Sequence, residues 1–339
     1  MVPRALTIFL SKLYHIKSLC KPGAFFLLRI LSMTRTILLT LSLALLSVAV
    51  FSQTETSDPK LEKALQQLVK GFNGDVGIYV KNLKTGKSAG INADSIFPTA
   101  SMVKVAITAG VFNQIEKGQL DYKSVLTYKD SLLYAGEDIL GSFINGEQIA
   151  LSKVLLLMIT TSDNTASLWA QSLAGTGTAI NDLMSQYGLT YTRVNSRTPG
   201  RQENQKKYGW GQTTPKEMAT LLTLIRNGKL INEAASERIY RNLIRIYFDQ
   251  EALSQIPPYI QAASKSGAVD EARSEVVLVN APHGDYVFCI TTKNQKDTSW
   301  IASNEGWILI RKLSQMLWHY YEPGSNWVPA PGIEKYNLN

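Results

Sequence analysis

Apolar positions along this chain change period twice. From 58 to 72, Leu61, Ala64, Leu65 and Leu68 recur at helical spacing, and Ser57 stands where a cap would stand. A strand is predicted at 75–80, a turn at 82–86, and a return strand runs towards Ile91. From Ala100 to about Ser264 the pattern is mostly helical, with helices predicted at 101–117, 151–160, 165–173, 179–187, 215–227 and 233–245. β-Branched runs then return at 275–280 and 285–292, close enough for His283-Gly284 to join them in a hairpin, and a helix at 304–320 follows. Strands at both ends around a helical middle predict an α+β fold. One lobe, an antiparallel sheet flanked by the terminal helices, is built from 53–100 and 262–339, and an all-helical lobe, 101–261, is inserted into it. The cleft between the lobes is the expected site.

The first 52 residues stand apart. They hold six of the 35 basic residues and none of the 27 acidic ones, so a net charge of +8 for the whole chain falls to +2 beyond them, 29 basic against 27 acidic. A nucleic-acid footprint is therefore not expected. Met33-Thr34-Arg35, the apolar run from Ile37 to Phe51 and the small residues before Gln53 have the layout of a Sec-type signal peptide, cut after Ser52, that delivers the chain to the periplasm. An uncleaved membrane anchor is the alternative, although the run is shorter than the ~20 apolar residues a bilayer needs. Residues 1–32 look like an extension upstream of a complete signal. Cys289 is alone once Cys20 leaves with the leader, so no disulfide is expected, and His283 and His319 have no ligand-spaced partners for a metal. No cofactor is implied.

Candidate chemistry begins with Ser-x-x-Lys, which occurs at Ser18, Ser57 and Ser101 and separates only by context. The first copy is in the leader and the second at the ragged mature start. The third, Ser101-Met102-Val103-Lys104, opens a helix that is apolar nearly all round, which predicts a buried central helix. Ser101, Lys104 and Thr108 share one face of it. Burial would lower the pKa of the lysine until it can take the serine's proton; a capping serine with a lysine reaching to water is the plainer alternative. Ser162-Asp163-Asn164 follows an apolar helix and also reads as an ordinary helix start. Lys265-Ser266-Gly267-Ala268 lies where helices give way to late strands; the literal Lys84-Thr85-Gly86 precedes the serine and reads as a hairpin turn.

These three elements, in this order, resemble those of serine penicillin-recognising enzymes, the class A β-lactamases in particular. The resemblance runs from about Asp58 to Tyr320 and includes Thr213-Thr214-Pro215-x-x-Met218-Ala219. It implies the two-lobed β-lactamase/transpeptidase fold, with Ser101 the acylated nucleophile and Lys104 its activating partner. Ser162 would relay a proton to the leaving nitrogen, Asn164 would bind the substrate's acylamide, and Lys265 and Ser266 its carboxylate. The N–H groups of Ser101 and Ala268, beside Gly267, would form the oxyanion hole. Arg273 is a second candidate for the carboxylate, or else a solvated surface arginine.

The family's deacylating glutamate has no counterpart. Counting back from Pro215 puts Thr198 in its place, and between Asn164 and Pro215 the only acidic residues are Asp182 and Glu203. Glu203 is the one glutamate a rearranged loop could deliver, yet Arg201, Lys206 and Lys207 close by would weaken it as a base. Acylation is thus the safer expectation and turnover the open one. The expected partner is a small-molecule β-lactam or a cell-wall peptide, met by a monomer. Three readings follow: a β-lactamase-type hydrolase, a D-alanyl-D-alanine peptidase, or a sensor or trap that acylates once.

Overall fold

A computed structural model describes residues 55–134 and 138–336; the leader read over 1–52 lies outside them. The main sheet is built from β1 (Thr56–Ser57), β2 (Asp75–Asn82), β3 (Lys87–Ile91), β9 (Ala262–Val269), β10 (Ala272–Val279) and β11 (Tyr286–Lys293), in the order β1-β3-β2-β11-β10-β9. All its pairings are antiparallel except β1 with β3. β10 and β11 form the expected hairpin, Val279 facing Tyr286. β9 was not legible as a strand, and it is the edge that matters: its free side faces the cleft.

Period-2 alternation divides this sheet between two cores. Ile78, Val80, Val277, Val279, Phe288 and Ile290 pack with Leu61 and Leu65 of α1 (Pro59–Leu68) and with Leu313, Leu317 and Trp318 of α9 (Glu305–Tyr321). Their neighbours Tyr79, Val276, Leu278, Val287 and the free thiol Cys289 face the other way, into the helical part. There lie α2 (Val103–Glu116), α3 (Leu151–Thr160), α4 (Asn164–Leu173), α5 (Thr176–Gln186), α7 (Pro215–Arg226) and α8 (Glu233–Leu243). α2 is buried from Val103 to Phe112, Lys104 included, as its all-round apolar pattern requires. Each such Val, Ile or Phe side chain contributes about 1.5–3 kcal/mol of burial, which holds the helix that carries Lys104 in one place.

Caps set the helix starts. Asp58, not Ser57, caps α1, its carboxylate accepting from Leu61 N at 3.1 Å; a carboxylate one residue on was the better acceptor for the helix N-terminus. Thr214 caps α7, with Pro215 at the first helical position. Three short strands, β4 (Phe97–Pro98), β7 (Arg193–Val194) and β8 (Gly211–Thr213), form a small sheet that ties the approach to Ser101 to the loop before α7. That loop carries a helix the sequence pattern did not show, α6 (Gln202–Tyr208). A further pair, β5 (Val125–Thr127) with β6 (Gln148–Ala150), brackets the segment leading to α3.

Candidate functional site

Ser101 sits in a single 3₁₀ turn, Ala100–Met102, that runs straight into α2. Ala100, with no glycine's freedom, has φ +43°, and Ser162, across the site, has φ +58°. Left-handed backbone costs such residues about 1–2 kcal/mol each, and here it aims both serines at one amine. Lys104 Nζ lies 3.0 Å from Ser101 Oγ, 3.0 Å from Ser162 Oγ, 2.5 Å from the Ser162 carbonyl oxygen and 2.8 Å from Asn164 Oδ1. The side chain is fully buried. Its surroundings suit a neutral amine: the Ser162 carbonyl and Asn164 Oδ1 take two N–H donors, and the lone pair remains for a hydroxyl. Burial, and then the charge of Lys265, hold the Lys104 amine well below the ordinary lysine range, against the smaller pull of Asp138 and Asp163.

The two readings of Ser162-Asp163-Asn164 prove compatible. Asp163 caps α4 through Ala166 N (2.7 Å), and its other oxygen accepts from Leu140 N (2.9 Å). The cap clamps the turn, and the turn delivers Ser162 and Asn164 to Lys104.

The third element arrives from the sheet. Gly267 on β9 rests against the nucleophile's backbone so closely that a Cβ there would lie 2.5 Å from Thr99 O and 2.7 Å from Ser101 N. Only glycine permits this approach, and the next residue, Ala268, lines the same cleft as Ser101. Lys265 is also buried, donates to Ser266 O at 2.8 Å, and is pushed down to about 7 by its burial, partly offset by Glu275. Lys104 Nζ thus joins the hydroxyls of Ser101 and Ser162, β9 brings Gly267 against the nucleophile's backbone, and Lys265 lies buried on that strand.

The cleft encloses about 430 Å³. Besides Ser101, Asn164 and Ala268, its walls include Tyr134, Lys207, Trp210 and Lys293, none of them marked by a motif. Tyr134 meets Trp210 edge to face, ring centroids 5.0 Å apart, closing one end with two loop aromatics. Their only signal in the sequence was large aromatic residues inside polar loops.

Two further candidates, Glu203 and Arg273, are placed elsewhere. Glu203 lies on the outer face of α6, its side chain 83% exposed and paired with Lys206 at 2.8 Å, and it does not line the cleft. Of its basic neighbours only Lys206 pairs with it; Arg201 donates instead to Asn195 Oδ1 and Gln212 Oε1. Arg273 is neither at the cleft nor solvated. It is buried on the face of the sheet towards α9, its guanidinium 4.6 Å and 4.5 Å from the ring centres of Trp300 and Trp307, and it donates to Ala272 O (3.0 Å) and Ser299 O (2.7 Å). Strand alternation decides this: its neighbour Ser274 points to the nucleophile's side, donating to Thr99 O and Gly267 O. Thr198 donates to Ser196 O at 2.9 Å and presses on Gly177, where a Cβ would lie 1.8 Å from its hydroxyl. Among the described residues, no carboxylate hydrogen-bonds to Ser101, Lys104 or Ser162.

The model of the beta-lactamase enzyme family matches residues 60–321. Beta-lactamase VEB-1 of Pseudomonas aeruginosa is 25% identical over 307 residues, spanning 86% of this chain and 99% of its own. Among solved structures, PBP-A is similar with a TM-score of 0.71 and 26% identity, over 79% of this chain and 98% of its own. A leucine-to-glutamate mutant of PBP-A, an acyl-enzyme complex with penicillin G, is similar over the same shares with a TM-score of 0.70 and 26% identity.

Proposed function

We infer that this chain, which belongs to the beta-lactamase enzyme family, acylates Ser101 with β-lactams quickly and releases the acyl group slowly. The observation that carries this is the buried Lys104 amine held 3.0 Å from Ser101 Oγ. In this reading the Ser101 hydroxyl passes its proton to Lys104 as Oγ attacks the lactam carbonyl carbon. The resulting oxyanion lies between the Ser101 and Ala268 N–H groups. The C–N bond then breaks as Ser162 delivers a proton to the leaving nitrogen, the proton coming from Lys104. Lys265 and Ser266 hold the substrate carboxylate, and Asn164 the acylamide. The leader at 1–52 would deliver the enzyme to the periplasm, where it would meet such substrates.

Hydrolysis of the acyl-enzyme needs a base for water. The loop before α7 offers Thr198, turned towards α5, and Glu203, turned to solvent, and loss of a positioned base costs roughly 10²–10⁴ in rate. Mixing the protein with a chromogenic cephalosporin is expected to give a burst equal to the enzyme concentration, then a steady state at least 100-fold slower, on the order of the base's contribution. Intact mass spectrometry should show the adduct throughout. A steady state as fast as the burst would rule out slow release.

The same loop favours a second reading, a D-alanyl-D-alanine peptidase of the cell wall. Release of D-alanine from a muropeptide supports it; no release, with the β-lactam adduct persisting, leaves a covalent sensor or trap.

Gly267 offers a test of the oxyanion geometry. Gly267→Ala puts a methyl group against two backbone atoms that cannot swing aside, so β9 must withdraw from Ser101. Acylation is expected to fall about 10²–10³-fold, the cost of one lost oxyanion donor, with little change in the far-ultraviolet circular dichroism spectrum. An unchanged acylation rate would show that Ala268 is not a donor.

A further inference from the structure

A second cavity lies away from the cleft, walled by two stretches without α-helix or strand, 244–261 and 327–336. It encloses about 770 Å³, more than the 430 Å³ of the cleft. Prolines shape both walls: Pro257 and Pro258 follow a 3₁₀ turn, Leu253–Gln255, and Pro329 precedes another, Ile333–Tyr336. Their fixed φ sets the backbone of these segments without a hydrogen-bond ladder. Ala262, the first residue of β9, belongs to this cavity, whereas Ala268 lines the cleft. The step from 262 to 268 spans about 20 Å of extended strand, and the two spaces have no lining residue in common.

Most of the lining is apolar, and Tyr259, Ile333 and Tyr336 remain exposed along it, surface that a bound apolar group would take out of water. Two polar side chains in the wall lack partners. Gln250 is 6% exposed, yet its Oε1 has no hydrogen-bond partner; an oxygen so buried calls for an N–H or O–H donor. Asp249, beside it in the chain, also lines the cavity, and among the described residues no ion pair holds it. Among the described residues no lysine, arginine or histidine lines this space, whereas Lys207 and Lys293 line the cleft. An acceptor and a carboxylate side by side in an apolar wall select against an anion, so the carboxylate-bearing substrates of the cleft are the wrong ligands here. A protonated amine supplies both an N–H donor and a positive charge.

We propose that this cavity is a second ligand site, for a hydrophobic organic amine, whose hydrocarbon part lies among Tyr259, Trp327 and Ile333 and whose ammonium group donates to Gln250 Oε1 and pairs with Asp249. Its volume, and a mostly apolar lining with a few polar groups, are those of small-molecule sites. The aromatic rings in the wall add faces that attract a cation. Binding here does not depend on acylation at Ser101.

The probes are phenylbutylamine and phenylbutyrate, alike in size and opposite in charge, titrated into wild type, Asp249→Asn and Ala330→Trp by isothermal calorimetry. Wild type is expected to bind the amine saturably at a single site. Phenylbutyrate should bind about tenfold more weakly, because it exchanges an attraction to Asp249 for a repulsion. Asp249→Asn is expected to bring the two probes to within about twofold of each other. Ala330, in the opposite wall, becomes an indole that fills the cavity in Ala330→Trp, and amine binding is expected to be lost. Both positions are exposed, so neither change should disturb the fold; if Ala330→Trp does not fold, Asp249→Asn decides alone. No saturable binding of the amine, equal binding of phenylbutyrate by wild type, or amine binding that neither variant weakens would overturn the proposal.

Discussion

Ser101→Ala is expected to abolish covalent capture: no adduct by intact mass spectrometry with any β-lactam, and loss of the burst, a decrease on the order of 10⁶ in acylation, the scale seen when the nucleophile of a serine hydrolase is removed. The effect is this large because every other group at the site is arranged around that oxygen. The strained φ of Ala100 and Ser162, the Lys104 amine and the closely packed Gly267 all converge on it. Without Oγ there is no atom to form the new bond, and the residual reaction is attack by water in a cleft with no carboxylate bonded to Ser101, Lys104 or Ser162 among the described residues. The fold should be unaffected, since among the described residues the hydroxyl hydrogen-bonds only with Lys104. A stoichiometric adduct on the alanine variant, at whatever residue, would refute Ser101 as the nucleophile.

Lys104 is the second. Lys104→Met keeps the length and removes the amine, and acylation is expected to fall by roughly 10²–10⁴, the contribution of a positioned base. The more discriminating variant is Lys104→Arg. If Lys104 acted as a fixed positive charge, arginine would restore part of the rate. If it acts by taking the proton of Ser101, arginine, which stays protonated throughout the accessible pH range, is expected to be no better than methionine. The pH profile gives the sign independently. Burial, reinforced by Lys265, depresses the Lys104 pKa, so the amine loses its proton as pH rises through that lowered value and acylation climbs on that limb; in both variants the limb is expected to vanish. A wild-type rate in Lys104→Arg would remove the general-base role.

How much of this could be read in the residues differs from element to element. α3 and α7 were predicted at their observed positions to within one residue because their apolar faces are continuous and, for α7, because Thr214-Pro215 marks the start. β10 and β11 announced themselves through β-branched runs. β9 did not, because Ala262–Val269 is small and polar; it pairs as a strand only because β10 lies beside it. α6 is short and none of its residues is buried, so it left no periodic trace.

The candidate site divides along the same line. Ser101 with Lys104, Ser162 with Asn164, and Lys265 to Ala268 are local spacings, and helix or turn geometry alone places the members of each set near one another. Which of three Ser-x-x-Lys copies is the candidate followed from the apolar helix behind it. Whether the three sets meet is a matter of long-range packing, as are the fates of the isolated charges. Arg273 is committed by strand parity to Trp300 and Trp307 on the far face, Glu203 to the solvent side of α6, and Glu275 to a buried place beside Ser264 Oγ and Ala252 N. The amino-acid order by itself therefore determined the periodicities, the helix starts and the three short chemical motifs, because each depends on contacts within a few residues. Only the tertiary structure decided which face each strand residue turns to, how deeply each lysine is buried and what the loop before α7 offers the cleft, because burial and electrostatic field are set by neighbours far away along the chain.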